Sequence, residues 1–236
     1  MTFKPSQLTG IVLAGGRSRR LGSTQSKLLI PIDGEQILIR IADVLKKITS
    51  ELVLVVRQNQ DDDVLNLGIS LDMRVITDTD PYSGPLAGIH AGLTASTTPL
   101  SFVIAGDHPF LSTNLITAMA IAADLDEVNV ACAVIPHTDG NLHPLHAIYP
   151  REHWVPHFAQ ALAESETSPR RAIEKAKVAN YPPMTIFTDE DIERTDPHKM
   201  SLFDIDTPEN LNFAKQITEA QVSKDATKDA TGHAMN

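Results

Sequence analysis

Short, continuously apolar segments alternate with segments of helical periodicity along the first half of the chain. Residues 52–56, for example, are all Leu or Val, as expected of a parallel strand that is buried on both faces. Just before them, residues 36–48 place apolar side chains at helical spacing along one face. Strands and helices that alternate in this way form βαβ units around a mainly parallel sheet. The sequence therefore predicts an α/β protein with three α/β/α layers and a mainly parallel, Rossmann-like sheet.

The remaining elements are predicted from apolar runs and capping signals. Further strands are predicted at residues 11–14, 74–76, 102–105, 128–135 and 142–149, with a short extended piece at 28–32. Further helices are predicted at residues 85–95, 112–123, 151–163 and 169–176. A last helix is predicted to begin at Pro208, with Thr207 as its amino-terminal cap. From Gln221 onward the chain has no Phe, Trp or Tyr and repeats Lys-Asp-Ala-Thr, so we predict a single domain over 1–220 and a disordered tail over 221–236.

The composition argues against several classes of function. The chain of 236 residues carries 20 Lys and Arg against 30 Asp and Glu, a net charge of −10, whereas a nucleic-acid-binding protein needs a basic face. Its single cysteine, Cys132, cannot form a disulfide within the chain and suits a reducing compartment. No apolar stretch resembles a signal sequence or approaches the ~20 residues that cross a bilayer. We expect a cytoplasmic protein, monomeric or weakly oligomeric, that binds neither nucleic acid nor a membrane.

A loop rich in glycine and arginine follows the first predicted strand, with the sequence L-A-G-G-R-S-R-R-L-G from Leu13 to Gly22. Gly15 and Gly16 allow main-chain N–H groups to approach a ligand that a Cβ atom would obstruct. Four positive charges lie in or just after the loop, on Arg17, Arg19, Arg20 and Lys27. Because each charge-assisted hydrogen bond contributes about 1.5–3 kcal/mol, such a loop is typical of a triphosphate site, although a solvated basic turn has the same composition.

This loop differs from two common phosphate-binding motifs. In a Walker A motif a lysine follows the second glycine, whereas here Ser23 follows Gly22. The glycine spacing also differs from that of the Rossmann dinucleotide fingerprint. The sequence therefore indicates a nucleotide site of another kind.

Three aspartates are candidate site residues because of their positions relative to the predicted elements. Asp107 directly follows the strand at 102–105, and Asp78 follows the strand at 74–76. Ligands of open α/β sheets gather at the carboxyl ends of strands. Asp206 precedes the last predicted helix. Because Mg²⁺ takes few protein carboxylates and completes its shell with phosphate oxygens and water, Asp107 is a candidate metal ligand. A capping or turn role is the alternative for each aspartate.

Together these motifs resemble those of the molybdenum cofactor guanylyltransferases, a family within a wider nucleotidyltransferase superfamily. The loop with Lys27 resembles L-A-G-G-x-S-x-R-M-G-x-D-K, with a longer stretch before the lysine and with Ser26 in place of Asp. G-P-L-A-G at residues 84–88 is similar to a segment of the same sequence in the family. G-D-H-P-F resembles G-D-M-P-F, with His108 in place of Met.

The resemblance continues through H-P-L at His143 and D-T-P-E at Asp206, so that it covers nearly all of residues 8–215. It implies a fold of the nucleotide-diphospho-sugar transferase type. It also implies that the chain transfers GMP from GTP to molybdenum-molybdopterin, with Mg²⁺ as cofactor, to form molybdopterin guanine dinucleotide and pyrophosphate. GTP and a molybdopterin-type acceptor are therefore the expected small-molecule partners.

The resemblance also implies roles for particular residues. It implies catalytic roles for Arg20, Lys27 and Asp107, and a magnesium site at Asp107 and Asp206. The residues that it implies for nucleotide binding are Leu13, Ala14, Gly15, Gly16, Arg17, Lys27, Asp78, Gly84, Pro85, Leu86 and Asp107.

Two alternatives to a guanylyltransferase stay open on the sequence alone. Cytidylyltransferases of the same cofactor usually read L-A-A-G, so that Gly15 and Gly16 favour guanine, whereas Asp-Ile-Asp-Thr-Pro at residues 204–208 favours the cytidylyltransferases. The other alternative is a non-catalytic nucleotide-binding regulator of the same fold, which the altered stretch before Lys27 and the substitution at His108 favour.

Overall fold

The order of strands and helices follows the predicted alternation. A computed structural model describes Lys4 and residues 7–15, 26–78, 84–124 and 131–232, with side chains described as far as residue 220. The strands are β1 (Leu8–Leu13), β2 (Pro31–Ile32), β3 (Glu35–Gln36), β4 (Glu51–Val56), β5 (Arg74–Thr77), β6 (Leu100–Ala105), β7 (Ala133–Thr138), β8 (Asn141–Leu142), β9 (His146–Pro150) and β10 (Met184–Phe187). The helices are α1 (Ile37–Leu45), α2 (Asp62–Ser70), α3 (Pro85–Ala95), α4 (Thr113–Asp124), α5 (Arg151–Ala163), α6 (Pro169–Ala179), α7 (Asp189–Glu193) and α8 (Pro208–Gly232). Short 3-10 helices lie at Lys27–Leu29 and Met200–Leu202.

A mixed sheet forms the central layer, in the strand order β10-β7-β9-β6-β1-β4-β5, with β8 paired to β7. β1 lies between β4 and β6 and is parallel to both, and β5 continues the parallel arrangement beyond β4. β9 is antiparallel to its neighbours β6 and β7. Because Leu13 pairs with both Val55 and Ala105, the carboxyl ends of β1, β4 and β6 meet at one edge of the sheet. The predicted mainly parallel sheet is confirmed.

Helices cover both faces of this sheet and enclose a hydrophobic core on each side. Along β4, Leu52, Leu54 and Val56 belong to one core, whereas Val53 and Val55 belong to the other. The first core includes residues of α1, α4 and α8, and the second includes residues of α3, α5 and α6. The continuous apolar run of β4 is therefore explained by burial on both faces, and the three-layer α/β/α architecture is confirmed.

The helices begin where the capping signals predict. Pro85 occupies the first helical position of α3. The N–H of Leu115, near the start of α4, donates a hydrogen bond of 3.2 Å to Oγ of Ser112. In the same way, the N–H of Asn210 donates one of 3.2 Å to Oγ1 of Thr207 at the start of α8. Each hydroxyl satisfies an N–H group that the first turn of a helix leaves without a partner.

Two predicted strands are wrong in their extent. The strand predicted at 142–149 is divided into β8 and β9, because Pro144 has no N–H to donate to a neighbouring strand and lies in a turn. The strand predicted at 128–135 corresponds to β7, which begins only at Ala133. Residues 125–130 lie outside the described part of the chain.

Other short elements differ from the prediction or are missed by it. The extended piece predicted at 28–32 combines a 3-10 helix with β2. β10 and α7 contain only 4 and 5 residues, which is too few to show a clear periodicity. α2 begins with Asp62 and Asp63, whose charges favour the amino end of a helix but also resemble a polar loop in the sequence.

The last helix extends into the predicted tail. The backbone of residues 221–232 is helical as part of α8, where the sequence predicts disorder. This segment can bury little apolar surface, but propagation of a helix requires only one backbone hydrogen bond for each added residue. The division into a domain over 1–220 and a separate tail stays a prediction. α8 is too polar to span a bilayer, and no other helix of the described ranges qualifies as a membrane span.

Candidate active site

A cavity of about 310 Å³ opens at the carboxyl edge of the parallel strands. Gly15 lies just beyond β1, Asp78 follows β5, and Gly106 and Asp107 follow β6, and all four line the cavity. The beginning of α3, at Pro85, lines another part of it. Open α/β sheets bind their ligands at this position, beyond the carboxyl ends of the strands.

Most of the residues predicted to bind a nucleotide line this cavity. They are Leu13, Ala14, Gly15, Lys27, Asp78, Gly84, Pro85 and Asp107. Leu86 does not line it, because its side chain is completely buried in the core with α5 and α6. A side-chain contact between Leu86 and a nucleotide is therefore not available. Gly16, Arg17 and Arg20 lie outside the described residues.

Lys27 joins two aspartates that are 99 positions apart in the sequence (206 − 107). Its Nζ atom lies 3.3 Å from Oδ2 of Asp107 and 2.5 Å from Oδ1 of Asp206. The side chain of Lys27 is 13% exposed, and those of Asp107 and Asp206 are 22% and 37% exposed. The two predicted metal ligands thus converge on one positively charged atom at a partly shielded point beside the cavity.

The main chain fixes the segment that carries Asp206 against the end of β6. The N–H of Ile205 donates a hydrogen bond of 2.9 Å to the carbonyl oxygen of Asp107. The side chain of Ile205 is completely buried in the core. From the first turn of α8, Nδ2 of Asn210 donates a hydrogen bond of 2.9 Å to the carbonyl oxygen of Asp204. These contacts explain how a segment distant in the sequence is held beside Asp107.

The charges of the site shift the pKa values of two carboxyl groups in opposite directions. Burial raises the pKa of Asp107, but the hydrogen bond with His108 and the positive charge of Lys27 outweigh burial, so that the pKa lies below its usual value. For Asp204, burial and the negative charges of Asp107 and Asp206 raise the pKa above its usual value. Asp107 is therefore ionised at neutral pH and can act only as an acceptor or a ligand.

Glycines allow the loops at the strand ends to adopt this arrangement. A Cβ atom on Gly106 would lie 2.5 Å from Cδ2 of Leu28 and 3.2 Å from the carbonyl oxygen of Leu13, so any other residue would displace Leu28 and crowd the end of β1. By contrast, a Cβ atom on Gly15 would meet no described protein atom within 4 Å. The described part of the chain therefore leaves room beside Gly15, which lines the cavity.

Two polar residues behind the site are missed by the sequence patterns. His146, on β9, is completely buried, and its ring centroid lies 5.8 Å from that of His108. Its Nε2 atom lies 3.3 Å from Oγ of Ser201, which is completely buried as well. Burial, together with the charges of His108 and His143, lowers the pKa of His146 well below its usual value. The one feature of the sequence that could have identified His146 is its place at the start of the apolar segment H-A-I-Y, where a core residue is expected.

Residues 10–180 match the family described as the MobA-like NTP transferase domain. The chain belongs to this family. It is therefore an enzyme of the nucleotidyltransferase class, as the sequence predicts. A probable molybdenum cofactor guanylyltransferase of Pelotomaculum thermopropionicum is 30% identical over 218 residues, which cover 90% of this chain and 94% of that protein. A molybdenum cofactor guanylyltransferase of Desulfosudis oleivorans is 30% identical over 213 residues, which cover 90% of this chain and 96% of that protein.

Solved structures share the fold. The molybdopterin-guanine dinucleotide biosynthesis protein A of Archaeoglobus fulgidus superposes with a TM-score of 0.70 at 22% identity, over 90% of this chain and 99% of that one. The 2-C-methyl-D-erythritol 4-phosphate cytidylyltransferase of Thermus thermophilus superposes with a TM-score of 0.61 at 14% identity, over 89% and 98% of the two chains. The predicted nucleotide-diphospho-sugar transferase type of fold is confirmed.

Proposed function

We propose that this nucleotidyltransferase transfers GMP from GTP to molybdenum-molybdopterin, in a magnesium-dependent reaction that yields molybdopterin guanine dinucleotide and pyrophosphate. The names of the curated relatives support GTP and the molybdopterin acceptor as substrates. The observation that carries the proposal is the convergence of Asp107 and Asp206 on Nζ of Lys27, beside a cavity at the carboxyl edge of the sheet.

The carboxylates of Asp107 and Asp206 are suitable ligands for Mg²⁺. Magnesium prefers one or two protein carboxylates together with phosphate oxygens and water. In the described part of the chain, no three or more His, Cys, Asp or Glu side chains gather into a metal site, so that a pair of carboxylates is the arrangement available. Asp107 and Asp206 would hold the ion, which when bound would offset the negative charge that develops on the phosphates.

Lys27 is well placed to exchange carboxylate partners for phosphate partners. Its ammonium group lies at the point that Asp107 and Asp206 share, and a divalent cation there would repel it. Lysine is a common ligand of phosphate, and Lys27 lines the same cavity as Gly15. We infer that Lys27 turns towards the triphosphate when nucleotide and metal bind. Arg17 and Arg20, on the sequence evidence, add positive charge to the same triphosphate site.

The transfer needs no covalent enzyme intermediate. An oxygen of the acceptor phosphate attacks the α-phosphorus of GTP and forms a new P–O bond to GMP. The bond from the α-phosphorus to the oxygen that bridges to the β-phosphorus breaks in line, and pyrophosphate leaves with that oxygen. The contribution of the chain is to align the two substrates and to hold positive charge against the triphosphate. Lys27 supplies that charge, and the ionised Asp107 stays available to a cation.

Pyrophosphate release distinguishes this proposal from the two alternatives. The parent protein is incubated with molybdenum-molybdopterin and Mg²⁺ and is offered ATP, GTP, CTP and UTP separately. We expect release that depends on GTP and on the acceptor. Release with CTP instead would identify a cytidylyltransferase of the same cofactor, which the shared fold alone does not exclude. Stabilisation of the protein by a nucleotide, without release from any of the four, would identify a non-catalytic regulator.

A further inference from the structure

Each oxygen of the Asp107 carboxylate faces a different side chain. Oδ2 lies 3.3 Å from Nζ of Lys27, and Oδ1 lies 3.1 Å from Nδ1 of His108. Because an ionised carboxylate only accepts hydrogen bonds, the hydrogen of the second contact is on Nδ1 of His108. The neutral ring can carry this hydrogen as well as the charged ring. The contact therefore fixes the rotation of the Asp107 carboxylate whatever the charge of His108.

The ring of His108 is held from behind by buried groups. His108 is 8% exposed, and its ring packs at 5.8 Å against the completely buried ring of His146. The ring of His146 meets that of Phe102, a residue of β6, edge to face at a centroid distance of 5.0 Å. Nε2 of His146 lies 3.3 Å from Oγ of Ser201. His108 thus rests on a row of buried side chains with little freedom to rotate.

Ser201 connects this row to the segment that carries the second carboxylate. Its Oγ accepts a hydrogen bond of 3.1 Å from the N–H of Ser112, just before α4. Its own N–H donates one of 2.7 Å to Oδ2 of Asp196. Asp204 follows Ser201 by three positions, and Asp206, which contacts Nζ of Lys27, follows two positions later. The contacts that hold the ring of His108 therefore also fix the start of the segment that leads to Asp206.

We propose that His108 is a positioning residue: it holds Oδ1 of Asp107 and leaves Oδ2 directed at the point shared with Asp206, while His146 and Ser201 keep its ring in place. This inference rests on the proposed roles of Asp107 and Asp206 as metal ligands. The methionine side chain of G-D-M-P-F has no N–H group, so it cannot donate the hydrogen bond that the His108 side chain donates to Asp107 here.

Mn²⁺ binding without turnover tests the proposal. The full chain is titrated with Mn²⁺ in the presence of a GTP analogue whose α,β-bridge is a methylene group, and free Mn²⁺ is measured by electron paramagnetic resonance. Loss of a group that orients a metal ligand typically weakens metal affinity about 10–100-fold, and we expect His108→Met to fall in this range. His108→Asn, whose amide can donate to Oδ1, should restore most of the affinity. His153→Met, a half-buried histidine on α5, is the matched control and should bind Mn²⁺ like the parent.

The outcomes separate this inference from the proposed function. Parental Mn²⁺ affinity in His108→Met, or an equal loss in His108→Met and His108→Asn, would overturn the positioning role. Parental affinity in Asp107→Asn would instead overturn the metal site itself. If His108→Met does not fold, His146→Phe provides the test, because it keeps a ring but loses the contact with Ser201. A smaller weakening of Mn²⁺ binding is expected there, and parental affinity would again overturn the proposal.

Discussion

Polar clusters occupy both edges of the parallel strands, and they differ in where their hydrogen bonds lead. At the amino edge, hydroxyl groups bond to one another: Oγ of Ser96 donates to Oγ1 of Thr9 at 2.8 Å, and Oγ of Ser101 donates to Oγ of Ser96 at 3.0 Å. Oγ1 of Thr9 and Oγ1 of Thr98 lie 2.7 Å apart. At the carboxyl edge, charged groups converge beside a cavity instead. The hydroxyl groups of the first cluster bond to one another, whereas the charged groups of the second lie beside a cavity.

Glu51 is the carboxylate of the amino-edge cluster, and its partners differ in kind from those of Asp107. Oε1 of Glu51 accepts hydrogen bonds from Oγ1 of Thr9 at 2.7 Å and from the N–H of Thr97 at 2.7 Å, and Oε2 lies 3.3 Å from Nη2 of Arg74. A buried polar network with its donors and acceptors paired makes the local structure more rigid. Asp107 is paired as well, but with a lysine whose ammonium group a metal ion would replace under the proposed function. A polar cluster therefore points to a binding site when a ligand or metal ion could take the place of one of its hydrogen-bonding groups.

Loss of a charge at the carboxyl edge should have the largest effect on turnover. Asp107→Ala removes a proposed metal ligand, and loss of one such electrostatic stabiliser lowers the rate by about 10²–10³-fold or more. The melting temperature should stay near that of the parent. Pyrophosphate release at saturating Mg²⁺ measures the first quantity and calorimetry the second. Asp62→Ala, an exposed residue of α2, is the control that should keep parental turnover. Parental turnover in Asp107→Ala would contradict the assignment of turnover to the carboxyl edge.

Replacement of Lys27 should weaken the binding of GTP and strengthen the binding of Mn²⁺. Lys27→Met loses a charge-assisted contact to phosphate, which corresponds to about a 10–100-fold loss of GTP affinity at fixed Mg²⁺. In the absence of nucleotide, the same variant should bind Mn²⁺ more tightly than the parent, because the ammonium group no longer competes for the two carboxylates. Isothermal titration measures both. Lys199→Met, which removes a lysine that is paired with Asp189 and Glu193, is the control. An unchanged GTP affinity would show that Lys27 is only a structural partner.

The amino edge should respond in stability and not in turnover. Thr9→Val keeps the shape of the side chain but removes its hydrogen bonds with Glu51 and Ser96, so the free energy of unfolding should fall by about 1–3 kcal/mol. Denaturant unfolding measures this loss. Thr94→Val, at an exposed position of α3, should change stability by less than about 0.5 kcal/mol. Turnover of the folded Thr9→Val protein should equal that of the parent, and a selective loss of turnover would contradict the assignment of this edge to stability.

A smaller, pH-dependent effect is expected at Glu51. Burial raises the pKa of Glu51, but the hydrogen bonds from Thr97 and Thr9 and the charge of Arg74 outweigh burial, so that the pKa lies below its usual value. A carboxyl group with a lowered pKa stabilises the fold above its unfolded-state pKa of about 4.3, and this stabilisation is lost as the pH falls through the folded-state pKa. Glu51→Gln should therefore reduce the free energy of unfolding by about 1 kcal/mol at pH 7, and the difference from the parent should shrink at acidic pH. A difference that is independent of pH would contradict this explanation.

The sequence predicts the fold and names Lys27, Asp107 and Asp206 as site residues, but it does not predict that these three side chains meet. Asp107 is identified because a Gly-Asp pair follows an apolar strand, and α3 because a proline begins it. The meeting of Lys27 with Asp206 depends on contacts between residues 179 positions apart, and no spacing rule predicts such a contact. The sequence does not identify His146 for a related reason. Its contacts are with Ser201 and His108, which are distant in the sequence or on another element, and not with its neighbours in β9. The amino-edge network is missed because isolated Thr and Ser residues resemble ordinary strand and turn residues.

The location of the metal tests the account most directly. Crystals of the full chain grown with Mn²⁺ and the methylene analogue of GTP would locate the ion by its anomalous scattering. We expect one peak beside Oδ2 of Asp107 and Oδ1 of Asp206, with Nζ of Lys27 moved from that point to a phosphate oxygen. Nucleotide bound in the cavity while Lys27 still bridges the two aspartates, with the metal elsewhere or absent, would contradict it.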